Sequence, residues 1–197
     1  MRWPRPRRCT LFRRHRDRNG DGEPGAAEAG EVEIRPIRAD EWQELRELRL
    51  EALKQDADAF GSTLAQEEAD PDVEWQRWAE RSSRADREVT FVAVDGGRFV
   101  GMTMGFRPKD EPEVVLLFAM WVDPSIRRQS VGIRLAEAVA DWARAGGARR
   151  LRVRVTEDNG PAVNLYGRTG FLPTSRREQL RPGSDRMTFT MERILPR

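Results

Sequence analysis

The feature that most narrows the fold of this chain is an uncharged apolar run, VVLLFAMWV at Val114–Val122, that stops at Asp123-Pro124 and leads into an amphipathic helix. A run of that length bounded by turn residues reads as a strand. Because it lacks polar alternation, it reads as central and buried on both faces, which requires helices on each side of the sheet. Beyond Pro124 come Arg127, Arg128, Gln129, Ser130 and Gly132. Leu135, Val139 and Trp142 then recur at helical spacing, and Gly146-Gly147 closes that helix.

The flanking segments supply the remaining elements. Val32, Ile34 and Ile37 around Pro36 predict a first strand. Asp40 reads as the N-cap of a helix carrying Trp42, Leu45, Leu48, Ala52 and Leu53. Residues 56–63, DADAFGST, read as a loop, and a second helix over about 72–82 has Val73, Trp75, Trp78 and Ala79 as its apolar positions. Thr90 to Val94 and Phe99 to Gly105 predict two strands joined by the hairpin signal Asp95-Gly96-Gly97. Leu151, Val153 and Val155 alternate with Arg as a further strand, and Pro161 to Arg168 form a short helix closed by Gly170. Met187, Phe189, Met191 and Ile194 mark a last strand, paired with residues near 173–180. The expected order is βααβββαβαβ, an α/β class with one mixed sheet between helices in a single domain over residues 31–197.

Residues 1–30 lack either period and are rich in Arg, Gly, Pro and Ala, so they read as a disordered basic tail. They hold eight Arg and four acidic residues. Of the 35 basic and 33 acidic side chains in the chain, 27 and 29 therefore remain for residues 31–197, a net charge of −2. The basic character lives in the tail, and the domain is no electrostatic match for nucleic acid. Asp17, Asn19, Asp21, Gly22 and Glu28 follow the spacing of a calcium loop. Pro24 stands where such a loop carries an apolar strand residue, and no amphipathic helix flanks the segment, so it reads as tail. No stretch approaches the roughly 18–20 apolar residues of a membrane span. No apolar region follows the basic start, so the expected location is cytoplasmic.

Two residue counts exclude whole mechanisms. The only Cys is Cys9 and the only His is His15, both in the tail. The domain has no thiol nucleophile, no imidazole base and no Cys/His zinc site, and no metal is expected. Its chemistry must rest on carboxylates, hydroxyls, Arg, backbone dipoles or a bound cofactor. The polar loop before the helix at Val131 fits that list. Free N–H groups and the positive end of a helix dipole converge there, with Arg127 and Arg128 adding charge, and pyrophosphate is a natural guest. The loop has no Lys for a Walker pattern and one Gly, too few for a dinucleotide fingerprint.

Two segments carry a family resemblance. VDPSIRRQSVGIRL, from Val122 to Leu135, resembles the acyl-CoA loop of the GNAT family of N-acetyltransferases, [Q/R]-x-x-G-x-[G/A]. Arg127 takes its first position and Gly132 its last, and Ser130 stands where the family usually has Gly. VTEDNGPAVNLYGRTGF, from Val155 to Phe171, is similar to the family's N-x-x-A-x-x-L-Y-x-x-x-G-F segment, with Asn159, Ala162, Leu165, Tyr166, Gly170 and Phe171 in register. The resemblance covers about residues 32–195. LRLEALKQDADAFGST also looks like a subgroup of small bacterial members.

The resemblance implies acetyl transfer from acetyl-CoA to a primary amine by direct attack through a tetrahedral intermediate. It implies an acyl-CoA site made of Met120, Trp121, Val122, Arg127, Arg128, Gln129, Ser130, Val131, Gly132, Ile133, Asn159, Ala162 and Tyr166. In the family the strand before the loop splays from its neighbour, and a backbone N–H there, near Met120 to Val122, would bind the acyl oxygen. Tyr166, the only Tyr in the chain, would protonate the leaving thiolate. An alkyl amine has a pKa of about 10.4 and must first lose a proton. Glu113, at the start of the long strand, is the candidate base, with Glu157 and Glu67 as further candidates. Phe60 and Ser62, in the loop that overhangs the acceptor pocket in the family, are the candidate substrate contacts. The amine could be a small metabolite, an amino acid, an antibiotic or a peptide N-terminus. A homodimer through the late strands is implied by analogy. Two other readings stand beside the enzyme: a non-catalytic acyl-CoA sensor, and nucleic-acid binding through the tail.

Overall fold

A computed structural model describes residues 31–196. The tail, with Cys9, His15 and the calcium-like spacing, lies outside the described residues. The elements run β1 (Glu33–Pro36), α1 (Trp42–Gln55), α2 (Leu64–Glu68), α3 (Asp72–Arg84), β2 (Glu88–Asp95), β3 (Arg98–Phe106), β4 (Val114–Val122), α4 (Val131–Ala145), β5 (Arg150–Thr156), α5 (Gly160–Arg168), β6 (Leu172–Gln179) and β7 (Met187–Ile194). One sheet of seven strands has the order β1-β2-β3-β4-β5-β7-β6. Every pairing is antiparallel except β4 with β5. This is the mixed α/β sandwich that the sequence predicts.

Strand alternation and helix periodicity divide the core into two layers. On one face Val92, Met102 and Trp121 meet Leu45, Leu48, Ala52 and Leu53 of α1 and Ala79 of α3. These α1 positions recur at the spacing of one helix face. On the other face Ala93, Val100, Val115 and Leu117 meet Val131, Leu135, Ala136, Val139 and Ala143 of α4. Glycines let the sheet approach that helix closely: a Cβ at Gly105 would stand 3.0 Å from Val139 Cγ1 and 3.1 Å from Trp142 Cζ3, and one at Gly101 would stand 3.4 Å from Leu135 Cδ1. In the β2–β3 hairpin, Gly96 and Gly97 have φ of 54° and 84°, the left-handed pair that a tight turn demands.

Several local expectations are corrected. Asp40 does not cap α1. Glu41 holds the N-cap position without a side-chain cap bond. Its carboxylate turns back to accept Arg35 Nη1 and Nη2, at 2.8 and 2.5 Å, and the Arg38 N–H at 2.8 Å. The segment read as loop holds a 3-10 turn at Ala57–Ala59, and α2 follows it directly. A capping box starts α2: the Gln66 N–H donates to Thr63 Oγ1 while the Thr63 N–H donates to Gln66 Oε1. Val73 sits in the first turn of α3 and faces solvent, 43% exposed. β4 is fully enclosed only in part, with Val114, Val115, Leu117 and Trp121 buried but Phe118 42% exposed.

Leu135 is fully buried between α4 and the sheet. Leu135→Ala should cost about 2–5 kcal/mol through lost transfer energy and a residual cavity. Val73→Ala, at an exposed position of the same nominal pattern, should change stability by less than about 0.5 kcal/mol. Urea unfolding followed by circular dichroism measures both.

Candidate functional site

β4 changes both its partner and its facing halfway along. Its parallel pairing with β5 runs from Val114↔Arg150 to Leu117↔Val153 and goes no further. Against β3 the register shifts between Met104↔Phe118 and Met102↔Trp121, so β4 carries one extra residue there. Ala119 absorbs it in a left-handed conformation, φ 51°. This is a β-bulge, and it inverts the alternation. Val115 and Leu117 pack toward α4, whereas Ala119 and Trp121 pack toward α1 and α3. Met120 and Val122 take over the α4 side. Residues from Phe118 onward therefore diverge from β5 and leave a wedge between the strands at this end of the sheet.

The loop after β4 closes one side of the wedge. Asp123 caps a 3-10 turn at Pro124–Ile126, its carboxylate accepting the Ser125 N–H at 2.9 Å and the Ser125 hydroxyl at 2.6 Å. Arg128 and Ser130 then adopt φ of 69° and 63°. For residues with a Cβ such backbone costs about 1–2 kcal/mol each. Ser130 is the N-cap of α4 but makes no side-chain cap bond, and the first backbone bond of the helix runs from the Arg134 N–H to the Ser130 carbonyl, 3.0 Å. The N–H groups of Val131, Gly132 and Ile133 precede that bond and carry the positive end of the helix dipole. Gly132 serves packing: a Cβ there would lie 2.5 Å from Leu165 Cδ1, so this glycine lets α5 approach α4.

The charges of the loop are arranged differently from the sequence expectation. The Arg127 guanidinium does not project freely toward an anion. Its Nε donates to the Val122 carbonyl at 2.8 Å and its Nη2 to Asp56 Oδ2 at 2.6 Å. The same Asp56 oxygen accepts the Trp121 indole N–H at 2.7 Å. Asp56 ends α1, so one carboxylate joins the α1 side of the molecule to the tip of β4 and the start of the loop.

On the other side of the wedge stands α5. Asn159 caps it, its side chain accepting the Ala162 N–H at 3.0 Å. Tyr166 is 4% exposed and lies in the core with Ala136 and Val139, its ring edge-on to Phe171 at 5.3 Å. Burial raises the phenol well above its ordinary pKa. It therefore keeps its proton at neutral pH and can donate but not act as a base.

The segment 56–60 spans the mouth of the wedge. Asp56 reaches β4 through Trp121, and the Asp58 carbonyl accepts the Thr156 hydroxyl of β5 at 3.0 Å. Arg181 donates to the Phe60 carbonyl at 2.8 Å, and Arg186 donates to both Asp58 and Asp158. Gln55, Asp56, Asp58, Asp158, Asn159 and Arg186 are among the residues that line a cleft of about 300 Å³ at this place. A larger hollow of about 470 Å³ lies at the opposite end of α4, lined by Arg144, Gly147, Ala148, Arg149 and Pro196, remote from these groups.

The fold thus brings together Met120, Trp121 and Val122, the loop from Arg127 to Ile133, and Asn159, Ala162 and Tyr166. It sets others apart. Glu113 precedes β4 at the end away from the wedge, about 20 Å from Met120 at the rise of an extended strand, and cannot serve as the base. Its exposed side chain stands beside the α4–β5 connection, where its carbonyl accepts the Arg149 and Arg150 N–H groups. Phe60 is buried in the α1–α3 core beneath the Arg49 guanidinium, 4.5 Å from its ring centroid, and is no open pocket wall. Ser62 accepts Arg49 Nη2 at 2.8 Å. Glu67 is held by the same arginine at 2.7 and 2.8 Å, and Glu157 pairs with Arg177 at 2.9 Å. Asp56, Asp58, Asp158 and Arg186 were not singled out by sequence. The acidic run DADAF was visible, but nothing local to it indicates partners more than sixty residues away.

The model of the Acetyltransferase (GNAT) family matches residues 42–171. The [ribosomal protein bS18]-alanine N-acetyltransferase of Escherichia coli (strain K12) is 28% identical over 111 residues, 55% of this chain and 73% of that protein. An acetyltransferase of the GNAT family from Streptococcus pneumoniae superposes with a TM-score of 0.71 over 84% of this chain and all of its own, at 22% identity. PaiA N-acetyltransferase from Thermoplasma acidophilum, solved in complex with coenzyme A, has a TM-score of 0.68 over 84% of this chain and 99% of its own, at 17% identity.

The hydrogen bond from the Ser125 hydroxyl, helped by the Ser125 N–H and by Arg98 and Arg127, holds the Asp123 carboxyl below its ordinary pKa. A depressed carboxyl adds stability above its unfolded pKa of about 3.9, and that stability is lost as pH falls through the lower folded value. Wild type should therefore exceed Asp123→Asn in urea midpoint at pH 6, with the difference shrinking as pH drops from about 5 to below 3. A pH series of urea titrations on both proteins measures it.

Proposed function

The chain belongs to the GNAT acetyltransferase family, and from that premise we propose that it moves the acetyl group of acetyl-CoA onto a primary amine bound at the mouth of the β4–β5 wedge. The observation that carries this reading is the junction of three features: the parting of β4 from β5 after Leu117, the uncapped first turn of α4 beside it, and Tyr166 on α5 across it.

The donor set suits a CoA pyrophosphate. The backbone N–H groups of Val131, Gly132 and Ile133 would hold it, with the helix dipole behind them. Gly132 supports the fit by bringing α5 against α4, so the loop and the late helix form one continuous wall. Acetyl-CoA would supply a thioester carbonyl to the wedge. The backbone near Met120, turned by the bulge at Ala119, would donate to the carbonyl oxygen as negative charge develops there. The amine, as the free base, forms the new C–N bond to give a tetrahedral intermediate, whose collapse breaks the C–S bond. Tyr166 would hand its proton to the departing sulfur, and the proton released from the amine nitrogen would pass through water and restore the neutral phenol. With Glu113 at the wrong end of its strand and Glu67 and Glu157 engaged by Arg49 and Arg177, water access through the cleft is the favoured route for that proton.

For the acceptor, similarity to an enzyme named for a ribosomal-protein alanine supports a peptide N-terminus among the amines considered. The cleft at the wedge mouth is lined by Asp56, Asp58 and Asp158 beside Arg186, and its carboxylates suit a chain bearing an amine. The competing reading is a non-catalytic acyl-CoA module. The deep burial of Tyr166, whose phenol makes no hydrogen bond among the described residues, is the observation in its favour.

Tyr166→Phe separates the two. As a proton donor, Tyr166 should lower kcat by about 10²-fold on substitution, with acetyl-CoA affinity within about twofold of wild type. A free-thiol release assay over a panel of amines, peptides beginning with Ala included, measures turnover, and calorimetry measures affinity. Unchanged turnover would remove Tyr166 from the mechanism. Absence of thiol release with every amine, despite acetyl-CoA binding, would favour the sensor.

A further inference from the structure

We propose that Asp56 is a positioning residue for acetyl-CoA, holding the 127–130 loop in its binding conformation through Arg127 and Trp121; this rests on the reading that the loop binds acetyl-CoA. Arg128 and Ser130, on either side of Gln129, both carry positive φ, where residues with a Cβ are disfavoured. Such backbone persists only where surrounding contacts over-determine it. Ser130 gives none through its side chain, since it makes no cap bond. The contacts that do restrain the loop enter at Arg127. Its Nη2 donates to Asp56 Oδ2 at 2.6 Å and its Nε to the Val122 carbonyl at 2.8 Å.

Asp56 is itself well fixed. It follows the last turn of α1, with its N–H donating to the Ala52 carbonyl at 2.9 Å. Its Oδ2 also takes the indole N–H of buried Trp121 at 2.7 Å. The loop is thereby referenced to a rigid helix and to the strand tip that would hold the acyl group. The Asp56 and Arg127 side chains are 35% and 44% exposed, so the ion pair adds little to overall stability. Its consequence is geometric. Through it the acyl-CoA loop and the acceptor-side segment share one anchor.

Electrostatics alone makes the opposite prediction. A carboxylate close to a pyrophosphate site repels the ligand, so removing its charge should tighten binding. Preorganisation predicts weaker binding, because the loop must then be ordered at the ligand's expense. The sign of the change therefore decides between the two. A second substitution makes the test specific to the loop. Glycine adopts positive φ without penalty, so Ser130→Gly should relieve the need for the tether.

The experiment is calorimetric titration of acetyl-CoA into full-length wild type, Asp56→Ala, Asp56→Asn, Ser130→Gly and the Asp56→Ala/Ser130→Gly double variant, with steady-state kinetics on each. Asp56→Ala should bind about tenfold more weakly, with KM for acetyl-CoA rising in proportion and kcat within about twofold. Asp56→Asn keeps an acceptor for Trp121 without the charge that holds Arg127. It should weaken binding similarly while leaving the Trp121 indole N–H resonance in place, which also reports that the protein is folded. Ser130→Gly should bind at least as tightly as wild type, and the double variant should recover to within about threefold of it. Unchanged or tighter binding by both Asp56 variants would overturn the proposal, as would a double variant as weak as Asp56→Ala. Failure of wild type to bind acetyl-CoA would instead defeat the functional reading beneath it, and shows in the first titration.

Discussion

Backbone N–H and C=O groups need partners wherever water is excluded, and β4 meets that need on only one edge beyond Leu117. Its neighbour β3 follows it to the end, while β5 turns away. A flat strand in that position would show the same faces on both sides of the divergence. The extra residue at Ala119 prevents this by reversing which side chains face α4. Trp121 can then enter the α1–α3 core, and Met120 and Val122 can line the side where α4 begins. The wedge, the orientation of the loop and the placement of Asp56 all depend on that inversion. A sheet without the bulge would point the Trp121 indole away from Asp56.

The wedge is stable because elements distant in sequence are tied across it. Segment 56–60 bonds to β4 through Trp121, to β5 through Thr156 and to the β6–β7 connection through Arg181 and Arg186. Asn159 fixes the start of α5, and Gly132 sets its distance from α4. Each tie is a single hydrogen bond or exposed ion pair and adds little to overall stability. Their joint effect is to define positions to within a bond length, which a site for acyl transfer requires and hydrophobic packing alone does not supply.

The periodic parts of this architecture could be read from sequence, and the parts governed by distant partners could not. Leu45, Leu48 and Leu53, or Leu135 and Val139, recur at the helical period because they share one buried face. Val73 fits the same period but lies in an exposed first turn, since periodicity says nothing about where a helix leaves its sheet. The Thr63-x-x-Gln66 box that starts α2 is a local capping signal, and it begins at the last residue of the stretch read as loop. Glu113 fails as the base on a distance already legible in the sequence: it starts the strand whose other end leads into the loop, and at about 3.3 Å per residue the two ends lie far apart. Ala119 and Ser130 take left-handed backbone without the Gly or Asn that would announce it. The tie from Asp56 to Trp121 and Arg127 bridges 65 and 71 positions, so no window of sequence contains it.

The protonation chemistry of these ties suits an enzyme that needs a neutral amine. An alkyl amine becomes a nucleophile in larger fraction as pH rises toward its pKa of about 10.4. A scaffold tied by lysines would lose its cations over the same range. Here the described ties are built on guanidinium groups, among them Arg35 to Glu41, Arg49 to Glu67, Arg127 to Asp56 and Arg193 to Glu137. Guanidinium keeps its charge beyond that range and offers a planar fork for carboxylates. Tyr166 follows the same logic from the other direction. Burial raises its pKa, so the resting core holds the neutral phenol. That contribution is fully present below the unfolded pKa of about 10 and declines as pH rises through the higher folded value. The arginine ties and the buried phenol thus keep the same charge states toward that range, so on the proposed reading the geometry of the wedge need not change as an amine acceptor deprotonates.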